Sequence, residues 1–243
     1  MNEVLVEKRG PQCRITLNRP DKRNALNVDL FAALDAHLAA LEQQTDTIGA
    51  VVLRANGPTF SAGADLGKQQ RAPVRNFQAR TIERFAQLPQ PVIAAIHGPC
   101  FTGGLELVLA ADIILAAESA RFADTHAKWG LVPGWGMSQR LPRRIGTFKA
   151  REMMFTARQI DGRTAERIGL ANLCVADHAF EAELAALVKD IVALSWHSHR
   201  GNKRILLETE DMALAQGLAH ESYRSPGVAP DFAERVGSTF GKR

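Results

Sequence analysis

Aromatic residues make up only 6% of the 243 residues, with a single tyrosine among them. Few flat rings are therefore free to stack on bases, and no nucleic-acid motif accompanies the basic residues, so nucleic acid is not an expected partner. The three cysteines, Cys13, Cys100 and Cys174, are odd in number, far apart and without a CxxC pair. That excludes a disulfide framework and a zinc-ribbon pattern, and it fits a reducing compartment. The seven histidines are dispersed and show no metal-ligand spacing, so no metal is expected. No apolar run is long enough to span a bilayer, the segment Pro91 to Ile96 being far too short, and the opening MNEVLVEKRG has no apolar signal core. The expectation is a cytoplasmic protein with no membrane partner.

What is present is the composition of a globular protein, 46% apolar and 23% charged. The net charge of +4, from 30 Lys and Arg against 26 Asp and Glu, suits a polyanionic ligand as well as ordinary surface variation. The length fits one large domain with an appendage.

Along the chain, VLVEKRGPQCRITL predicts two strands around a Gly10-Pro11 turn. Asn27 then precedes a helix in which Leu30, Leu34, Leu38 and Leu41 share one face. Ile48 to Leu53 predicts a buried strand, Asn76 to Leu88 a helix, PVIAAI a short strand broken by His97-Gly98-Pro99, Gly103 to Ala111 a helix, and DIILAAES a strand. This recurrence indicates an α/β architecture without a detectable internal sequence repeat. After Pro133 the pattern is mainly helical, near Met137 to Arg140, Lys149 to Phe155, Thr164 to Ile168 and Phe180 to Ser195. SWHSHRGNKR reads as a loop into a separate helical tail with a face for self-association. The expected units are a core over residues 1–195 and a helical region over 196–243.

Two small-residue turns stand out, FSAGADL at Phe60 to Leu66 and FTGGLEL at Phe101 to Leu107. Their glycines and alanines let a ligand approach backbone N–H groups, and two such donors would make a hole for an oxyanion. The alternative is two tight strand-to-helix connections whose glycines serve packing alone. Glu106 lies three residues after Gly103, about one helical turn on, where a carboxylate could move a proton beside a polarised carbonyl. Burial among Leu105, Leu107, Val108 and Leu109 would raise its pKa, though a first-turn Glu also simply complements a helix dipole. Competing motifs fail. Gly134-x-Gly136 lacks a third glycine and a nucleotide-binding strand, no P-loop occurs, and Ser61 lacks the glycine of a nucleophile elbow, although His97-Gly98-Pro99-Cys100 is loosely similar to an esterase oxyanion loop.

LNRPDKRNALN, FSAGADL, QPVIAAIHGPCFTGGLELVLAADIILAAESARFA, GLVPGWGMSQRLPRRIG and TAERIGLAN follow one another in an order that resembles the enoyl-CoA hydratase/isomerase (crotonase) superfamily from about Leu5 to Leu194. The resemblance implies a spiral of repeated ββα units with a helical C-terminal trimerisation region, forming trimers often paired into hexamers. It also implies an acyl-CoA thioester ligand and no cofactor. By position in the motifs, Ala64 and Gly103 would donate the oxyanion-hole N–H groups. Lys22, Arg23 and Ala25 match the segment that contacts the CoA nucleotide, while Ala62, Asp65 and Leu66 flank the pantetheine and thioester. A family lysine near the C-terminus, which binds phosphates from a neighbouring subunit, would correspond to Lys242.

The pattern breaks at one place. Family hydratases generally pair two glutamates, and Glu106 matches the first. The second falls on His126, with Asp124 two residues before it and Thr125 in place of the usual proline. Syn addition of water needs an acid and a base together, and a histidine with an ordinary pKa of about 6.5 can exchange protons near neutrality, although it can equally be structural. Three readings follow: a hydratase in which Glu106 works with His126 or Asp124, a one-carboxylate reaction such as isomerisation, decarboxylation or thioester cleavage, and a non-catalytic acyl-CoA binder. Trp129 and Trp135 bracket the same loop, either narrowing an acyl pocket or packing in the core.

Overall fold

Gly10, at φ +57°, turns the chain between β1 (Val4–Arg9) and β2 (Gln12–Leu17), which pair antiparallel with Val4 opposite Leu17. The computed structural model describes residues 2–67 and 71–240. After β2 comes α1 (Val28–Glu42), started by Asn27, whose side chain accepts the Leu30 N–H. Leu30, Leu34, Leu38 and Leu41 are all buried, as their spacing predicts. β3 (Ala50–Ala55) begins two residues later than the apolar run suggests, and the N–H groups of Gly49 and Ala50 both donate to Pro11 O just before β2.

The next elements are α2 (Phe77–Ala86), β4 (Val92–Ile96), β5 (Pro99–Phe101), α3 (Gly103–Val108), β6 (Ile113–Ala117) and β7 (Arg121–Ala123). Then follow α4 (Met137–Ile145), α5 (Thr147–Thr156), β8 (Ile160–Asp161), α6 (Gly162–Arg167) and β9 (Leu173–Val175). The chain ends in α7 (Phe180–Ala193), α8 (Trp196–Thr209), α9 (Leu214–Arg224) and α10 (Phe232–Phe240). Strands β1-β2-β3-β4-β6-β9 form one sheet, parallel from β2 onward, and β5-β7-β8 form a second.

The spiral lies in that pairing. A long strand in the large sheet leads to a short segment in the small one and then to a helix: β4 to β5 to α3, and β6 to β7 to the helical turns after it. The turn after β3 follows the same course, with Ser61 bridged in parallel to Cys100 of β5. Period-two alternation gives the large sheet two buried faces. Val51, Leu53, Val92, Ala94, Ile114 and Ala116 face the main core with α1, whereas Val52, Ile93, Ala95, Leu115 and Ala117 face Phe180, Leu184, Val188 and Ile191 of α7.

The segment from Trp196 is helix from its first residue, which corrects the expected loop. Ser195 caps α8 by accepting the Ser198 N–H, and the Trp196 indole lies against Gly49, where no Cβ would fit, with Nε1 donating to Val192 O. Lys203 of α8 ties this region to the sheet: its buried Nζ donates to Asp112 Oδ2 at 2.7 Å and to Gln90 O at 3.1 Å. The three cysteines are buried and unpaired, and burial pushes each thiol up, Cys13 to about 11.

Candidate active site

The two small-residue turns meet. Ala62 N–H donates to Arg23 O, Leu26 N–H to Gly63 O, and Asp65 N–H to Leu26 O, so the first turn is laced to the segment after β2. Gly63, at φ +102°, packs against the second turn, and a Cβ on it would lie 3.4 Å from Gly103 N. A Cβ on Gly103 would lie 3.2 Å from Ala64 N. Neither the Ala64 nor the Gly103 N–H has a hydrogen-bond partner among the described residues. Two free N–H donors therefore flank one small space that only glycine at 103 leaves open.

Thr102 sets the second donor. Its backbone sits at φ +51°, ψ −112°, a strained geometry for a β-branched residue. Four bonds hold it there. Its N–H donates to Ala123 O and its carbonyl accepts the Glu106 N–H. Its Oγ1 accepts the Thr125 N–H at 3.1 Å and pairs with Thr125 Oγ1 at 2.5 Å. A proline at 125 could make neither of the last two contacts.

Glu106 is 1% exposed in α3, within the cavity's reach. Its Oε1 accepts the N–H groups of Trp135 (2.9 Å) and Met137 (3.1 Å). Met137 is the first residue of α4, so the carboxylate closes the start of that helix. Gly136, at φ +121°, allows the turn that aims both N–H groups at one oxygen, and Arg140, bonded to Trp135 O and Glu83, braces it. Oε2 lies on the side of His126. Burial raises the Glu106 carboxyl above the usual carboxylate range, against the lowering effect of the two N–H donors and of His126.

His126 is 8% exposed in the 3-10 turn His126–Trp129. Its Nδ1 lies 2.6 Å from Asp124 Oδ1, which also accepts the His126 backbone N–H at 3.0 Å, and its Nε2 lies 3.6 Å from Glu106 Oε2. Burial lowers the imidazole pKa, but the bond to Asp124 and the charges of Asp124 and Glu106 outweigh it, and the net shift is upward.

Thr102, Glu106 and His126 line a cavity of about 420 Å³ together with Ala25, Ala62, Ala64, Asp65, Leu66, Gly103, Trp129 and Trp135, a size suited to a small ligand. Lys22 and Arg23 do not line it. They are exposed, in and just after the turn Pro20–Lys22, three and two residues before Ala25. Asp65 has a structural bond as well: Arg19 Nη1 donates to it at 2.9 Å and also to Ala25 O. Burial works to raise the Asp65 carboxyl, and Arg19 with the Gly67 N–H brings it below its ordinary value. Lys242 lies outside the described residues.

Trp135 packs against the core and also lines the cavity. It meets Phe31 edge to face at 5.2 Å and sits over Gly103, while Trp129 is 63% exposed on the outer wall. Ser61 is no nucleophile: its buried Oγ donates to Asn24 O and accepts the Gly63 N–H. Sequence reasoning missed Arg19 and Asn24, whose side chains pin the Pro20–Lys22 turn to the first glycine turn through Asp65, Asn56 O and Thr59 O. The buried asparagine at φ +51° had no motif to single it out. Among the described residues no group of three His, Cys, Asp or Glu side chains is placed to hold a metal ion, and no helix is long and apolar enough to cross a membrane.

Comparison with known proteins places this geometry in context. A Rhizobium meliloti protein named "Probable enoyl-CoA hydratase" is 35% identical over 246 residues, covering 99% of this chain and 95% of its own. The 2,3-dehydroadipyl-CoA hydratase of Escherichia coli is 32% identical over 226 residues, covering 91% and 88%. The crystal structure of an enoyl-CoA hydratase from Bacillus anthracis matches with a TM-score of 0.93 at 32% identity, covering 99% of this chain and 97% of that one. Residues 7–224 match the enoyl-CoA hydratase/isomerase family as a whole. With two crossed glycine turns, a spiral of two sheets and relatives along its whole length, the chain belongs to the enoyl-CoA hydratase/isomerase family.

Proposed function

We propose that this protein adds water to a trans-2-enoyl-CoA thioester. The observation that carries the reading is the pair of unpartnered N–H groups of Ala64 and Gly103 around one small space, with Glu106 one helical turn away. The thioester oxygen accepts both N–H groups, which stabilise the enolate formed when water attacks the β-carbon. Glu106 Oε2 takes the proton from water, and His126 is the second proton-carrying group. Ala62, Asp65 and Leu66 flank the thioester and pantetheine, and Lys22 and Arg23, with Ala25, meet the nucleotide phosphates. The reaction uses no cofactor beyond the CoA of the substrate.

Replacement of the second glutamate by His126 favours one further reading, isomerisation or another one-carboxylate reaction through the same enolate. Leu206, Leu214, Leu218, Tyr223 and Val228 are exposed on and between the helices α8 and α9 and beyond. They support self-association of the C-terminal region into a homotrimer or a dimer of trimers.

The test is mass spectrometry of trans-2-butenoyl-CoA incubated with wild type and Glu106→Gln. A gain of one water with wild type, lost at least about a hundredfold in the variant while acyl-CoA binding persists, is the expected result. A double-bond shift without water would install the isomerase reading. Unchanged turnover in the variant would remove both.

A further inference from the structure

The cavity places an imidazole where the rest of the site calls for a second acid–base group, and a buried carboxylate stands directly behind it. We propose that Asp124 is a positioning residue that locks His126 with Nε2 toward Glu106, making the two a mixed imidazole–carboxylate proton pair for hydration. This rests on the proposed hydratase reading.

The argument is geometric. A carboxylate only accepts, so the 2.6 Å contact puts the hydrogen on His126 Nδ1. The same Asp124 oxygen takes the His126 backbone N–H, so ring and backbone are fixed by one atom. Asp124 is 1% exposed and cannot turn away into water. The ring is thereby aimed so that Nε2 borders the cavity 3.6 Å from Glu106 Oε2, too long for a hydrogen bond between them and open to a substrate atom. The charged groups acting on the ring are Asp124, at the end of β7, and Glu106, from α3. Asp65 lines the same cavity but is held by Arg19.

The step balances. Glu106 begins as carboxylate and His126 as imidazolium. Water oxygen bonds the β-carbon, the double-bond pair passes to the thioester oxygen between the N–H groups of Ala64 and Gly103, and the water proton goes to Glu106 Oε2. The enolate pair then forms a C–H bond at the α-carbon with the proton from Nε2. Glu106 is left protonated and His126 neutral, and once product leaves, a water molecule entering between them relays the proton from Oε2 to Nε2 and restores both. In this scheme Asp124 never touches the substrate.

The experiment compares wild type with Asp124→Asn, His126→Gln and His126→Glu as assembled full-length protein. Nitrogen-15 spectra of the histidine rings report the tautomer, with His126 assigned by its loss in His126→Gln. Steady-state hydration of trans-2-butenoyl-CoA across pH reports the chemistry. In wild type the neutral ring is expected as the Nδ1–H tautomer. In Asp124→Asn that preference is lost, kcat falls about a hundredfold with KM within about threefold, and the alkaline limb of the pH profile moves. His126→Glu, which needs no tautomer, retains turnover and becomes insensitive to Asp124→Asn. A wild-type Nε2–H tautomer, or an Asp124→Asn protein with unchanged kcat and pH profile, overturns the proposal. Should wild type fail to hydrate the probe, exchange of the α-hydrogens of butyryl-CoA in heavy water separates the two ideas. Exchange that depends on Asp124 leaves the positioning role standing and removes hydration alone, and absent exchange removes the proton pair as well.

Discussion

Replacing Gly103 with alanine tests the oxyanion hole with one carbon. The added Cβ would stand 3.2 Å from Ala64 N, in the space a thioester oxygen must enter to sit about 2.7–3.1 Å from that donor. It would also stand 2.5 Å from Cζ3 and 3.0 Å from Cε3 of Trp135, so the ring must shift. Gly103 lies at the start of α3 in helical backbone, where alanine is compatible and gains about 0.4–1 kcal/mol through the unfolded state. The fold is thus expected to survive, with a thermal midpoint within a few degrees of wild type. Removing one oxyanion donor typically costs about 10²–10³ in kcat, near 2.7–4 kcal/mol, and that is the expected loss. The assay is hydration of trans-2-butenoyl-CoA beside a calorimetric measurement of CoA binding, which should change less than about threefold because the nucleotide end is remote. The double variant with Trp135→Ala separates the two contacts. If the displaced ring were the cause, the double variant would recover to the level of Trp135→Ala alone. Blocking of the hole predicts that it stays about a hundredfold below that level. A kcat for Gly103→Ala within tenfold of wild type would refute the placement of the hole.

Four other outcomes follow from the structure. The pH profile of kcat/KM should be bell-shaped, with an acid limb above the ordinary glutamate value near 4.3 and an alkaline limb above the ordinary histidine value near 6.5, since both groups are raised; limbs at or below those values would contradict it. Raised folded-state values also mean that both groups bind protons more tightly folded than unfolded. Their contribution to stability is therefore complete below the unfolded values and is lost as pH rises through the folded ones, so denaturant titration should show His126→Gln flattening the decline above about pH 6.5. Trp135→Ala should raise kcat/KM for longer enoyl chains relative to the four-carbon substrate by about tenfold, and an unchanged ratio would place Trp135 outside the acyl path. Lys203→Met, which strips Asp112 Oδ2 and Gln90 O of a buried donor, should destabilise by about 1–3 kcal/mol in urea, and a loss below about 0.5 kcal/mol would deny that contact its role in holding α8 to the sheet.

The long elements were legible because each carries a period. Leu30 to Leu41 announces α1 and Asn27 its start, and Glu106 is legible from its three-residue offset after Gly103. The short strands β5, β7, β8 and β9, of two or three residues, are too brief for any period and owe their conformation to partners distant in sequence. Without them the second sheet, and with it the spiral, stays hidden. The helix at Trp196 was missed because its His, Ser, Arg and Asn residues suit loops, and packing of Trp196 on Gly49 overrides that preference. Within the site, residue types pointed to the two turns, Glu106 and His126. The strain at Thr102, the closure of α4 by Glu106 and the bond from Arg19 to Asp65 depend on tertiary placement that no local spacing encodes.

The parallel bridge between Ser61 and Cys100, and the contact of Gly104 with the Ser61 side chain, stitch the two donor turns into the core. Asp124 and His126, by contrast, stand where β7 runs out, ahead of the exposed Leu131 and Val132. In the proposed reaction the turns that polarise the carbonyl are thus set apart from the groups that carry the second proton, and Thr125 links the two through its bonds to Thr102. Such a division makes the fold a chassis with an exchangeable tool: edits at positions 124 and 126 can retune the proposed reaction, whereas an edit at 125 would also release Thr102 and with it the second donor turn.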